Sequence, residues 1–175
     1  HRATPHGRTM AELGVHPRLA HMMLTAKQLG HGALACDIAA LLSERDMAIR
    51  SRENADLRHR LDLLQGRSGA EIDRGARDRV KRSAESWRRQ LGIGGEARSD
   101  PAVTGALVAL AYPDRLAQQR GGRGQYRLSS GKGARLSEAD PLAGEDFLAV
   151  AALDGDRREA RIFLAAPLTL AEIES

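Results

Sequence analysis

Apolar residues return every third or fourth position up to Tyr112 and every second position beyond Pro113. The first spacing lines one face of a helix and the second one face of a strand, so the pattern predicts an α+β protein, helices first. Pro5 begins a short helix that Thr4 caps and Gly14 stops. His16 and Pro17 open a second, with Leu19, Met22, Met23, Ala26 and Leu29 on one face. Gly30 and Gly32 break it. A third helix over 33–44 turns Leu34, Ile38, Leu41 and Leu42 inward, completing a helical hairpin. Residues 45–55 carry charge without periodicity and read as a loop. Asn54 is placed to cap a short helix holding Leu57, Leu61 and Leu64, stopped by Gly66. A longer helix over 70–91 follows, with Ile72, Ala76, Val80, Ala84, Trp87 and Leu91 at helical spacing. Residues 92–100, GIGGEARSD, read as a linker. Asp100 and Pro101 then start a helix with Val103, Leu107 and Leu110 as its core stripe.

Beyond Pro113 the alternation predicts strands at 115–119, 125–128, 133–136, 147–153 and 159–165. The turns between them, GGRG, SSGK, EADPLAGED and DGDR, are rich in Gly, Asp and Pro. Five short strands in so short a stretch suit a small OB-like β-barrel, an architecture that recurs in oligonucleotide and saccharide binders. The predicted fold is therefore a helical bundle followed by a small barrel.

Composition narrows the chemistry. Hydrophobic residues make up 42% of the chain but aromatics only 3%, so the core rests on Leu, Ala, Val and Ile. Base stacking on aromatic platforms is nearly excluded on the same ground. Of 27 basic residues only Lys27, Lys81 and Lys132 are lysines. The net charge of +4 is modest and its distribution says more. Arg115, Arg120, Arg123, Arg127, Lys132 and Arg135 fall in a stretch without Asp or Glu, and an acidic stretch follows it. Such a division points to one charged face. Arg120 and Arg123 flank Gly121 and Gly122, where the backbone can approach a phosphate and side chains are expected to splay outward. Arg127 alternates with Tyr126 and Leu128 and is expected to face away from the barrel core. The long helix carries a second set: Arg74, Arg77, Lys81, Arg82, Arg88 and Arg89. Two readings stand for it, a solvated helix face or a further nucleic-acid contact.

The sequence offers no complete active site. Cys36 lies within ALACDIAALL, the setting of a buried small residue, and as the only cysteine it excludes a disulfide framework. His16, His21, His31 and His59 lack metal-ligand spacing. Ser130-Gly131-Lys132-Gly133 imitates a phosphate loop, but Tyr126 stands where the upstream glycine belongs and Gly133 where a Ser or Thr would hold magnesium. It reads as a hairpin turn. The apolar runs at 33–42 and 103–112 are too short to cross a bilayer, and neither they nor any signal peptide speaks for a membrane. A cytoplasmic setting is expected.

Four blocks carry a resemblance that spans nearly the whole chain in order: TPHGRTMAELGVHPRLAHMM, ALACDIAALLSERD, LVALAYPDRLAQQRGGRGQYRLSSGKGARL and DPLAGEDFLAVAALDG. Together they resemble the C-terminal region of bacterial ATP-dependent RNA helicases of the DEAH/RHA group. The resemblance implies the tail of a winged-helix module over 1–16, a helicase-associated or ratchet-like helical bundle over 17–100, and an OB-fold with its lead-in helix over 101–175. It also implies RecA-like motor domains elsewhere in the same polypeptide, where ATP and magnesium would bind. The phosphate loop, the DEAH box and the arginine finger are absent here, so this chain is expected to hold no cofactor and not to hydrolyse ATP alone. Its implied role is to guide single-stranded RNA, or another nucleic acid, through a basic channel. The expected contacts are Arg115, Arg120, Arg123, Arg127, Lys132 and Arg135 on the barrel, with Lys81, Arg82, Arg88 and Arg89 on the long helix. The alternative is a platform that docks a protein activator of the helicase.

Overall fold

The computed structural model describes residues 4–49, 53–94, 99–154 and 159–174. Helices α1 (Pro5–Glu12), α2 (Pro17–Gln28), α3 (Gly32–Ser43), α4 (Leu57–Leu64), α5 (Arg74–Gln90) and α6 (Thr104–Ala111) come first. Strands β1 (Leu116–Gln119), β2 (Gln125–Leu128), β3 (Gly133–Arg135), β4 (Phe147–Leu153) and β5 (Glu159–Pro167) follow, then a short α7 (Leu170–Glu174). The change from helix to strand falls where the periodicity changes. Parts of the expected 1–16 tail, the 45–55 loop, the 92–100 linker and the DGDR turn lie outside the described residues.

Local chemistry sets the helix ends. Thr4 accepts the N–H of Gly7 at 3.0 Å, with Pro5 in the first turn of α1. Helix α5 begins at Arg74 rather than near residue 70, because Asp73 is its cap and accepts the N–H of Ala76 at 3.0 Å. That backbone donor holds the Asp73 carboxyl below its ordinary range. Ile72 lies outside the helix, in an antiparallel bridge with Ala48. Asp56, not Asn54, caps α4: it accepts the N–H of Arg58 at 2.9 Å, while Asn54 accepts that of Asp56 at 2.9 Å.

Helix α3 is buried on almost every side, Cys36 included, and packs against α2, α4 and α5. Met22, Met23, Ile38, Leu57 and Val80 fill the space between them. Leu29 does not join that core; it lies past the end of α2, where the chain turns through Gly30, and is 61% exposed. Helix α6 is apolar all round and wedged between α2 and the strands β4 and β5. Its buried set is Thr104, Gly105, Leu107, Val108 and Ala111; Val103 and Leu110 are only half-buried, and the expected stripe is rotated. Gly105 permits the close approach: a Cβ there would lie 2.1 Å from the Pro167 carbonyl oxygen.

The strands close into a barrel in the order β1-β2-β3-β5-β4, with β4 returning to β1. All pairs are antiparallel except β3 with β5. Tyr126, Leu128, Ala134, Leu148, Val150 and Ile162 fill its interior. This is the OB-like barrel expected, with three shifts. Arg115 lies in a 3-10 turn (Pro113–Arg115) and not in β1, β3 ends at Arg135, and β5 runs on to Pro167.

The described residues of the segment that read as a loop form a seam between the halves. Met47 is fully buried in the helical core. Ala55 sits in the barrel core, where its carbonyl accepts the N–H of Ala165 at 2.9 Å. Buried Arg60 holds the seam together, donating to Asp46 at 3.1 Å and to the Asn54 carbonyl.

Candidate nucleic-acid interface

The β2–β3 hairpin turns its basic residues outward. Tyr126 and Leu128 are buried, Gln125 and Arg127 exposed, as the alternation requires. Tyr126 anchors the hairpin from inside: its hydroxyl lies 2.9 Å from the Leu142 carbonyl and 2.7 Å from that of Glu145. Burial, then the charge of Glu145, pushes the phenol up to about 12.

Strand register makes this face continuous. Gln125, Arg135 and Arg161 form one row across β2, β3 and β5, and Arg127, Gly133 and Glu159 form the next. Arg135 and Arg161 are therefore neighbours on parallel strands, roughly 5 Å apart in the backbone. Like charges placed opposite one another destabilise a sheet unless something of opposite sign lies between them. Phe163, on the same face, is 45% exposed, and the Arg161 guanidinium lies 5.9 Å from its ring centre.

The other basic residues divide. Arg120 is exposed beside Gly121, whose φ of 77° places it in the left-handed region that turn demands. Lys132 is half-exposed at the β2–β3 turn. Arg123 departs from expectation, because it folds back on the 137–144 loop. It donates to the Glu138 carbonyl at 2.8 Å and toward that of Asp140 at 3.4 Å. Gly144 leaves room for it, since a Cβ there would meet Arg123 Nη1 at 2.6 Å. Arg115 is also turned away: it donates to the Ala151 carbonyl at 3.2 Å and lies 4.5 Å over the Tyr112 ring. Arg18 approaches the same ring and pairs with Asp114 at 2.6 Å. That pairing holds the Asp114 carboxyl low and raises the Arg18 guanidinium.

On α5, Lys81, Arg82 and Arg89 are exposed. Arg88 is not available as expected; it points at α3 and pairs with buried Asp37 at 2.5 Å. The two line a cleft of about 420 Å³ between α3, α4 and α5, with Lys81 and Arg67 at its edge balanced by Asp62 and Glu85. Sequence reasoning missed Arg161 and Phe163. The alternation of Glu159, Arg161 and Phe163 with Ala160 and Ile162 placed them on one face, but pairing of β5 with β3 leaves no local mark. Among the described residues, no helix is long and apolar enough to cross a membrane.

Comparison with known proteins agrees with this architecture. No protein-family model matches the chain. It is 34% identical, over 98% of its length, to the ATP-dependent RNA helicase HrpB of Escherichia coli strain K12. The crystal structure of the E. coli DExH-box NTPase HrpB superposes with a TM-score of 0.78 at 29% identity, covering 97% of this chain. A second crystal structure, of the E. coli DEAH/RHA helicase HrpB, gives a TM-score of 0.75 at 29% identity over 95% of the chain. The similarity lies in the C-terminal region of HrpB. The chain spans 19% of each of these proteins.

Proposed function

We propose that this chain is a nucleic-acid-binding accessory region of an ATP-dependent RNA helicase. It holds single-stranded RNA on the outer face of the barrel while RecA-like motor domains of the same polypeptide bind ATP and magnesium. In this reading 1–16 ends a winged-helix module, 17–100 is the helical bundle, and 101–175 is the OB-like unit. The setting is the cytoplasm. The observation that carries the proposal is the register row that sets Arg135 beside Arg161 with Arg127 next to them. Its support from outside the chain is the similarity to a protein named as an RNA helicase. Arginine contacts to phosphate give sequence-independent, salt-sensitive affinity. The chain alone is expected to hydrolyse no ATP.

The test is the salt dependence of single-stranded RNA binding by the 175-residue chain and by an Arg127→Ala, Arg135→Ala double variant. The variant should bind all sequences more weakly, and its logarithmic salt slope should flatten by about 0.7 for each phosphate no longer neutralised. An unchanged slope would remove this face as the binding site. Binding of a protein activator, insensitive to salt and to these substitutions, would favour a docking platform instead.

A further inference from the structure

Strand β5 changes partners along its length and leaves a gap between them. Strand β3 pairs with it only as far as Arg161, and the 55–56 segment takes over at Ala165. Between the two, residues 162–164 border a cavity of about 270 Å³. Ligand pockets for drug-sized molecules measure roughly 300–1,000 Å³, so this one suits a single ring system.

Its lining is mixed in a particular way. Phe163, Leu164 and Leu136 supply apolar surface; Ser137, Asp46 and Asp140 supply polar atoms. The Ser137 oxygen accepts the N–H of Ala139 at 3.3 Å, which leaves its proton to donate. Asp46 is bound by Arg60 at 3.1 Å, and Asp140 by the N–H groups of Ala55 and Leu142, both at 2.9 Å. Carboxylate oxygens keep further lone pairs, which can accept hydrogen bonds from exocyclic amino groups of bases. Arg161 and Phe163 both line the cavity, and Arg135 lies next to Arg161. The lining therefore combines a guanidinium, an aromatic ring and two carboxylates.

We infer that this gap is a nucleobase pocket: one base splayed from a single strand stacks on Phe163 and turns its amino group inward, while its phosphates rest on Arg161 and Arg135. The pocket rests on the RNA-binding reading above and adds a preference to it, since cytosine and adenine carry an exocyclic amino group and uracil does not. It also restores a stacking mode that the scarcity of aromatics argued against, because one exposed ring suffices. Stacking on an aromatic side chain is sequence-tolerant, so the amino-group contact supplies whatever discrimination exists.

The experiment compares the chain with its Phe163→Ala variant on short labelled oligocytidine, oligouridine and abasic strands of equal length. Phe163 is well exposed, so the variant should melt as the parent does. The expected result is about tenfold weaker binding of oligocytidine by the variant, no change on the abasic strand and an unaltered salt slope. Phe163→Trp should restore the affinity, and the parent should prefer oligocytidine to oligouridine. Equal affinity of parent and variant for oligocytidine overturns the pocket while leaving the RNA-binding face intact. So does an equal loss on the abasic strand. Failure of the parent to bind any strand overturns the functional proposal itself, a separate and recognisable outcome.

Discussion

Asp140 accepts the backbone N–H of Ala55 at 2.9 Å, a buried hydrogen bond that joins the β3–β4 loop of the barrel to the segment entering α4. Its other carboxylate oxygen takes the N–H of Leu142 at the same distance. Removing the side chain leaves two buried donors without their acceptor, at about 1–3 kcal/mol each before relaxation. Asp140→Ala should therefore lower stability by about 2–3 kcal/mol in urea unfolding. A loss under about 0.5 kcal/mol, the range of ordinary surface substitutions, would show that the bond does not hold the halves together.

Arg88 separates a structural role from a binding one. Its partner Asp37 is only 8% exposed in the side chain, so Arg88→Ala removes the main counter-ion of a buried carboxylate. Breaking buried pairs costs about 3–5 kcal/mol; with Arg88 itself 31% exposed, about 2–3 kcal/mol is expected. Arg82→Ala, on the exposed side of the same helix, should stay within about 0.5 kcal/mol. The salt slope of RNA binding should not move for Arg88→Ala in the range where it remains folded. A flattened slope would return Arg88 to the binding face.

Tyr126 gives the barrel a dependence on alkaline pH. Its phenol is pushed up to about 12 from an ordinary 10.0, so folding favours the neutral form. That stabilisation is complete below about pH 10 and is lost as the pH rises through about 12. Tyr126→Phe removes the donor shared by the Leu142 and Glu145 carbonyls and should cost about 1 kcal/mol at neutral pH. The variant should also lack this alkaline component. Parallel stability curves from pH 9 to 12 would contradict the assignment.

Gly105 tests the wedge of α6 against β5. A methyl group there meets a backbone carbonyl at 2.1 Å, which no side-chain rotation relieves. Gly105→Ala should cost about 3 kcal/mol despite the better helix propensity of alanine, measured by thermal or urea unfolding. A neutral or stabilising outcome would mean that the helix and strand do not approach so closely.

Legibility in the sequence followed how local the determining physics is. The bounds expected for β2 and β4 match because alternation and flanking turn residues lie within the segment. The Gly131 turn is legible for the same reason, its φ of 95° being what a glycine there permits. Helix α7 was missed although its signal is present: Thr169 and Glu172 form a reciprocal cap, with Thr169 N–H to Glu172 at 2.9 Å and Glu172 N–H to Thr169 at 3.2 Å. The α6 stripe was misjudged because a helix apolar all round has no readable face. Long-range choices stayed hidden. Nothing near Arg123 announces that it will donate to Glu138, nor does anything near Arg88 announce Asp37. The functional row exists only once β3 lies beside β5.

That parallel pairing also orders events during synthesis. The α2–α3 hairpin and the β1–β2–β3 meander join neighbours in sequence and can form as they leave the ribosome. Strands β3 and β4 are successive in the chain but do not pair; β4 joins β1, and β5 closes the gap between β3 and β4. Until residues 159–167 emerge, the nascent sheet keeps two open edges and Ala55 lacks its strand partner. A ribosome stalled before β5 would thus carry a nearly finished helical unit tethered to an unclosed sheet, the species most exposed to aggregation or to chaperone capture.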